Sequence, residues 1–426
     1  HTLSLLLIPS LAMAQGLALD DAVKEALGGS PKVERAASKA EEAAWGKTEA
    51  LSGFLPSITL DANHIFEKKY MLLDINLGGN PASIAQVVPT TLFTLSAQIP
   101  LFDGLRNVNR FRAARAMENA ARDESDWMRF QTEQEVGVLF YRALGSQALR
   151  DVAQQNAQTL EDHLKDVKAF QKAGIATNYE VLRVEVQASE ARSELLNSTD
   201  NVEIARARLS EAIGRASDDR VLEGALPEPK EDWISKLDLN DNSGRKDLAA
   251  VESAAESARL QDTVAGRFWV PRIGAFGQYQ YYNNRTDSFA DWDVYRNAYL
   301  VGINLSWNLF DGMGSIARAK QAAERRVQGE KTLELATLHS KQELDLWRRK
   351  FLYQCAVFRS RQSDVSKTDE SVRLAKSGRK AGTRTNTDLL DAEAEAFRSK
   401  AGLVNAQIGA LEALSNLQLA LGRKIQ

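Results

Sequence analysis

The chain has 426 residues, a formal net charge of −3 and one cysteine, Cys355. A near-neutral charge supplies no basic surface for nucleic acid, and a lone thiol excludes both an intramolecular disulfide framework and a Cys-rich metal site. The four histidines, His1, His64, His163 and His339, are scattered without metal-ligand spacing.

Residues 1–14 contain the apolar run Leu5-Leu6-Leu7-Ile8 and end in Ala12-Met13-Ala14. This pattern resembles the core and cleavage site of a secretory signal, so residues 1–14 are expected to be a residual signal peptide. No cysteine follows it to carry a lipid. No later stretch reaches the roughly 18 apolar residues of a membrane helix. An exported chain of this kind is expected to be periplasmic, secreted or an outer-membrane barrel.

Residues 15–215 form a first structural repeat. Asp20 is expected to cap a short helix ending near Gly28-Gly29. Ser30-Pro31 reads as N-cap and first-turn proline of an Ala-rich helix running to about Gly53 and stopped by Pro56. The period then changes from helical to alternating. Over 57–66, Ile58, Leu60 and Ala62 alternate with Thr59, Asp61 and Asn63, and over 92–101, Phe93, Leu95, Ala97 and Ile99 alternate with Thr94, Ser96 and Gln98. These are expected strands with one apolar face, separated by a turn-rich loop from Leu72 to Thr90. A helical hairpin is predicted over 108–213, turning at Gly174. Its apolar seam is Leu149, Val152, Leu160, Leu164, Val167 and Phe170.

A connector over 216–244 contains Pro227 and Pro229. The second repeat, 245–423, restates the first: a helix to about Arg267, then Pro271, strands over 272–282 and 298–309, and a helical hairpin over 316–421 turning at Gly382. Residues 424–426 are a tail. Phe102-Asp103-Gly104 recurs as Phe310-Asp311-Gly312, Lys172-Ala173-Gly174 as Lys380-Ala381-Gly382, and Gly214-Arg215 as Gly422-Arg423. All three pairs share one offset, so the span between them has kept its length. Rigid helical units hold such a register because an insertion turns every later side chain off its face. A helix of 65 residues would be about 100 Å long.

Four amphipathic strands cannot close a membrane barrel alone, since about eight is the minimum. Strands of nine to eleven residues suit a membrane wall, so several chains are expected to share one barrel, and three would give twelve strands.

With these elements in order, the sequence resembles the TolC family of outer-membrane efflux and secretion channels across nearly its whole length. The resemblance is carried by Ser30-Pro31, Leu55-Pro56-Ser57-Ile58, Ile99-Pro100-Leu101-Phe102-Asp103-Gly104, Leu305-Ser306-Trp307-Asn308-Leu309-Phe310-Asp311-Gly312 and, most specifically, Ala381-Gly382-Thr383-Arg384-Thr385-Asn386-Thr387-Asp388-Leu389-Leu390-Asp391-Ala392. It implies a mixed, mainly α fold in which duplicated long hairpins form a periplasmic α-barrel. Four strands per chain would enter a twelve-stranded trimeric β-barrel in the outer membrane of a Gram-negative bacterium. The implied function is a passive, non-enzymatic exit channel of a tripartite efflux pump or type I secretion system. Its implied partners are a periplasmic adaptor, an inner-membrane transporter behind it and outer-membrane lipid. A periplasmic adaptor with long helical hairpins is the competing class. Adaptors usually carry a single hairpin beside a lipoyl-like β domain, which two hairpins and two strand pairs argue against.

Asp388 and Asp391, three apart near a helix start, face roughly one way. In a trimer they would make two carboxylate rings that narrow a pore and favour cations. Acidic residues in a first helical turn also meet the helix dipole favourably, and from the residues alone both readings stand. The resemblance assigns Asp388 and Asp391 to the pore gate and Arg384, Glu180 and Tyr179 to a clamp that closes the tip. Arg379 stands where well-known members place a clamp tyrosine. Gly174, Ile175, Gly382 and Thr383 are expected at the hairpin tips, where an adaptor would dock. Trp269, Tyr279, Tyr281, Tyr299 and Trp307 are candidates for an aromatic girdle.

Overall fold

The computed structural model describes residues 16–67, 72–85, 88–235 and 244–425. The expected signal segment and part of the connector, 236–243, lie outside the described residues. The chain divides into two compact units, one of His1–Lys39, Arg122–Ala250 and Glu334–Gln426, the other of Ala40–Ala121 and Val251–Leu333. Among the described residues no helix is long and apolar enough to cross a membrane.

The unit of 40–121 and 251–333 holds the sheet. Strands β1 (Ser57–His64), β4 (Thr91–Phe102), β5 (Arg272–Asn283) and β6 (Arg296–Ser306) form one antiparallel sheet in the order β1-β4-β5-β6. The register places Leu60 opposite Leu95, Leu95 opposite Tyr279 and Tyr279 opposite Tyr299. Opposed residues share a face, so a row of large apolar side chains crosses all four strands. One residue along, Thr59, Ser96, Gln278 and Leu300 line the other, more polar face. The apolar face is bare: Leu60, Tyr299 and Val301 are 69%, 82% and 81% exposed. Both outer strands, β1 and β6, keep one edge without a partner strand among the described residues.

The segment expected to be an irregular loop after β1 is instead a second, two-stranded sheet. β2 (Leu72–Leu77) and β3 (Asn80–Ala85) pair antiparallel across a two-residue turn. Gly78 and Gly79 both take positive φ (61° and 94°), the requirement of the tight hairpin turn that matches strand twist.

Each strand-to-helix junction is built on the repeated Phe-Asp-Gly. Asp103 accepts bonds from the backbone amides of Arg106 (3.1 Å) and Asn107 (2.6 Å), and Asp311 from the amide of Ser315 (3.1 Å). These amides are among the first of α3 (Arg106–Lys172) and α6 (Gly314–Lys380), which have no partner inside the helix. The aspartate is therefore the helix cap, and Leu105 and Met313 complete the corner with φ of 64° and 68°. Helix α2 (Pro31–Ser52) is tied to α3 by Lys47–Glu118 (2.7 Å), and α5 (Lys246–Gly266) by a bond from Ser257 Oγ to the Ala113 carbonyl (2.9 Å).

The other unit holds α3 from Arg122 with α4 (Asn178–Ala212) and α6 from Glu334 with α7 (Asn386–Leu421), and α1 (Leu19–Gly29) packs against the first pair. Asp20 does not cap α1. Ala18 occupies that position, and Asp20 and Asp21 stand in the first turn, where negative charge meets the positive end of the helix dipole. Ala22 and Ala26 of α1 pack on Val136 and Phe140 of α3 and on Leu209 and Ile213 of α4. A separate core joins Phe351 and Cys355 of α6 to Leu417 and Leu421 of α7. Nearer the turns, the predicted seam is only partly a core. Leu160 and Val167 are buried against Val181, Val184 and Leu390, while Phe170 is exposed. Small residues, Ala157, Ala188 and Ala191, take much of the contact.

Two close backbone approaches end the repeats. A β-carbon on Gly214 would lie 2.6 Å from the Gly29 carbonyl oxygen, and one on Gly244 would lie 2.5 Å from that of Gly422. In both cases the last turn of a repeat's final helix touches the beginning of that same repeat.

Candidate functional site at the hairpin turns

Gly174 and Gly382 sit at φ of 75° and 73°, a left-handed conformation that costs a side chain about 1–2 kcal/mol. The following residue closes the helix end: the Ile175 amide donates to the Phe170 carbonyl (2.9 Å) and that of Thr383 to Gly378 (2.9 Å). Three residues further on, each chain segment re-enters a helix through a capping box. Thr177 Oγ1 accepts from the Glu180 amide (3.3 Å) while Glu180 Oε2 accepts from the Thr177 amide (2.8 Å). Thr385 and Asp388 repeat this at 3.1 and 2.8 Å. The sequence Thr-x-x-acid after a glycine stop specifies this return locally.

These bonds fix what the predicted residues do within one chain. Backbone and hydroxyl bonds from Thr385 hold the Asp388 carboxyl below the usual range, with a smaller contribution from Arg384. Bonds from Thr177 do the same for Glu180, helped by Arg379. Asp388 turns back to Thr385, whereas Asp391 approaches Arg183 (3.9 Å), which also donates to Thr387 Oγ1 (2.9 Å). Thus the two acids have different partners, and Arg183 links the two hairpins. Ile175 and Tyr179 are 75% and 72% exposed.

Arg384 and Glu180 are not bonded to each other; both line a cavity of about 690 Å³ between the hairpins, beside Arg379. Arg379 lies over the Phe170 ring, 5.3 Å from its centroid. At the cavity's inner wall is a polar cluster that no sequence motif marks. His163 of α3, 4% exposed, places Nδ1 2.9 Å from Glu393 Oε2 and Nε2 2.6 Å from Asn386 Oδ1, both on α7 and both buried. The clue was present: His163 lies three residues after Leu160 and four before Val167, on the seam. A polar residue there needs a buried partner.

Comparison with known proteins adds four likenesses. The family model described as outer membrane efflux protein matches residues 22–215 and 242–423. The outer membrane protein TolC of Vibrio cholerae is 24% identical over 176 residues, covering 41% of this chain and 40% of that protein. Among solved structures, the outer membrane protein VceC of Vibrio cholerae superposes with a TM-score of 0.79 at 18% identity, covering 96% of this chain and 97% of that one. The open state of the MtrE outer membrane channel of Neisseria gonorrhoeae gives 0.78 at 18% identity, covering 96% and 89%. The structural likenesses establish a shared fold over nearly the entire chain.

Proposed function

The chain belongs to the outer membrane efflux protein family, and from that premise we propose that three copies form an exit channel through the outer membrane of a Gram-negative cell. The observation that carries the proposal is the sheet. It has one bare apolar face, one mostly polar face and two open edges. A membrane barrel requires apolar residues outward, polar residues inward and no free edge. Four strands meet the first two conditions, and twelve from three chains meet the third.

In this reading the helical hairpins lie in the periplasm, and their turns are both the closure and the docking end. Asp388 and Asp391 line the narrowing, Arg384 with Glu180 and Tyr179 of a neighbouring hairpin hold it shut, and Gly174, Ile175, Gly382 and Thr383 meet a periplasmic adaptor. Through that adaptor the duct serves an inner-membrane transporter. The bonds within one chain suit the roles: Asp388 is anchored to its own helix start, while Arg384 has no ion-pair partner among the described residues.

Single-channel recording in planar bilayers tests the reading. The purified protein is expected to give discrete low-conductance openings, and Arg384→Glu to raise that conductance severalfold. Unchanged conductance in the variant sinks the clamp, and protein that never forms channels sinks the duct.

A further inference from the structure

A second cavity, about 830 Å³, lies within the unit that carries the sheet, where strands give way to helices. Four arginines line it: Arg106 and Arg110 of α3, Arg272 at the start of β5, and Arg318 of α6. They come from three separate stretches of sequence and belong to none of the roles above. One carboxylate, Glu49, faces them. Two others close by are already engaged: Asp103 caps α3, and Asp311 caps α6 while pairing with Arg318 (3.0 Å). Arg106, Arg110 and Arg272 form no ion pair among the described residues.

Arg106 is the most constrained of the four. Its Nε is shut off from solvent and has no hydrogen-bond partner. Burial, then the charges of Arg272, Arg110 and Arg318, pull its pKa below the usual arginine value. A buried donor on a guanidinium is expensive to leave unpaired, and grouped like charges add to the cost. An oxyanion relieves both, because guanidinium forks match phosphate, sulfate and carboxylate oxygens. The first turns of α3 and α6 both reach the cavity, through Arg106 and Ser315, and helix starts favour negative charge. The rest of the wall is mixed: Ser257, Gln261 and Asn308 stand beside an apolar portion of Met117, Val264 and Phe268. A small inorganic ion would leave that apolar portion wet.

We propose that this cavity binds an amphipathic oxyanion: a phosphate, sulfate or carboxylate headgroup on an apolar tail. Such a molecule reaches the site either as a membrane phospholipid or as anionic cargo. The inference goes beyond the channel reading, since binding can be measured in protein that carries no current.

Isothermal titration calorimetry of the full chain in an uncharged maltoside detergent tests it. The probes are dihexanoyl phosphatidylglycerol, decyl sulfate, decyltrimethylammonium and inorganic phosphate. The expected result is saturable binding of one or both amphipathic anions, weakened about tenfold or more by Arg106→Gln and by rising salt. Phosphate and the cationic amphiphile bind far more weakly. Phosphatidylglycerol alone identifies the lipid source; decyl sulfate, alone or with it, identifies a site open to single-chain cargo. Should Arg106→Gln fail to fold, the paired Arg110→Gln, Arg272→Gln variant, altered only at exposed side chains, gives the same reading. Equal binding of the cation, no saturable binding of either anion, or unchanged affinity in the variants overturns the proposal.

Discussion

His163 shows how much one side chain can hold at the hairpin turns. It joins α3 to Asn386 and Glu393 of α7, all three side chains being buried. Replacing it with leucine leaves the buried Glu393 carboxyl without its hydrogen-bond partner, which typically costs about 1–3 kcal/mol. His163→Leu is therefore expected to unfold at a clearly lower temperature by circular dichroism. His163→Leu combined with Glu393→Leu should recover most of that loss, because an apolar pair of similar volume leaves no polar group orphaned. Equal destabilisation in the single and double variants would show that the ring acts by packing alone. The turn residues themselves were legible because their bonds are local: Thr385 and Asp388 are three apart. The His163 cluster and the arginine cavity are not legible in the sequence because their members converge only in three dimensions. Glu393 is 230 residues from His163.

At the level of elements, the strands were predicted to within a few residues and the helices nearly to the turn. Period-two alternation and glycine stops are both local signals. The exception, the β2–β3 hairpin, follows from its composition. Leu73, Ile75 and Leu77 alternate with Asp74 and Asn76 ahead of Gly78-Gly79, a hairpin signal, but Asn80–Ala85 contains Pro81, which points away from strand. The sheet's two faces make opposite demands on substitution. Val301 lies on the apolar face and Asn304 on the other. Val301→Lys is expected to cost about 2–4 kcal/mol of barrel stability in lipid if it sits near the bilayer centre, whereas Asn304→Lys should be nearly neutral. The measurement is urea unfolding in lipid vesicles, followed by heat-modifiable gel migration. Equal sensitivity on both faces would contradict the assignment of an outward apolar face.

For the whole molecule, strand direction matters as much as strand number. In the order β1-β4-β5-β6 every neighbouring pair is antiparallel, so the two open edges run in opposite directions. Edge β6 of one copy and β1 of the next can therefore pair as neighbours do inside the sheet, and the pattern continues around a closed ring. With Cys355 replaced by Ala, cysteine pairs on the polar face, Thr59→Cys with Leu300→Cys, Gly302→Cys or Asn304→Cys, are expected to trap a covalent trimer under mild oxidation. Each single-cysteine variant should stay uncrosslinked on a non-reducing gel. A ladder ending at dimer, or no product from any pair, would argue against ring closure through these edges.

The glycine contacts at Gly29–Gly214 and Gly244–Gly422 bear on how such a chain could arise. Each repeat returns to its own starting point, so its two ends are already neighbours before the other repeat is considered. Joining two copies in tandem then needs a connector, here residues 216–244, and no redesign of either fold. The same closure makes the order of the repeats interchangeable: a permuted gene that begins with the second and finishes with the first would specify the same contacts. By the same geometry, six copies of a half-length chain would supply the contacts that three duplicated chains supply in the proposed trimer. The two halves differ where they meet: Asp391 of the second stands at the position of Arg183 in the first, and the two side chains approach to 3.9 Å.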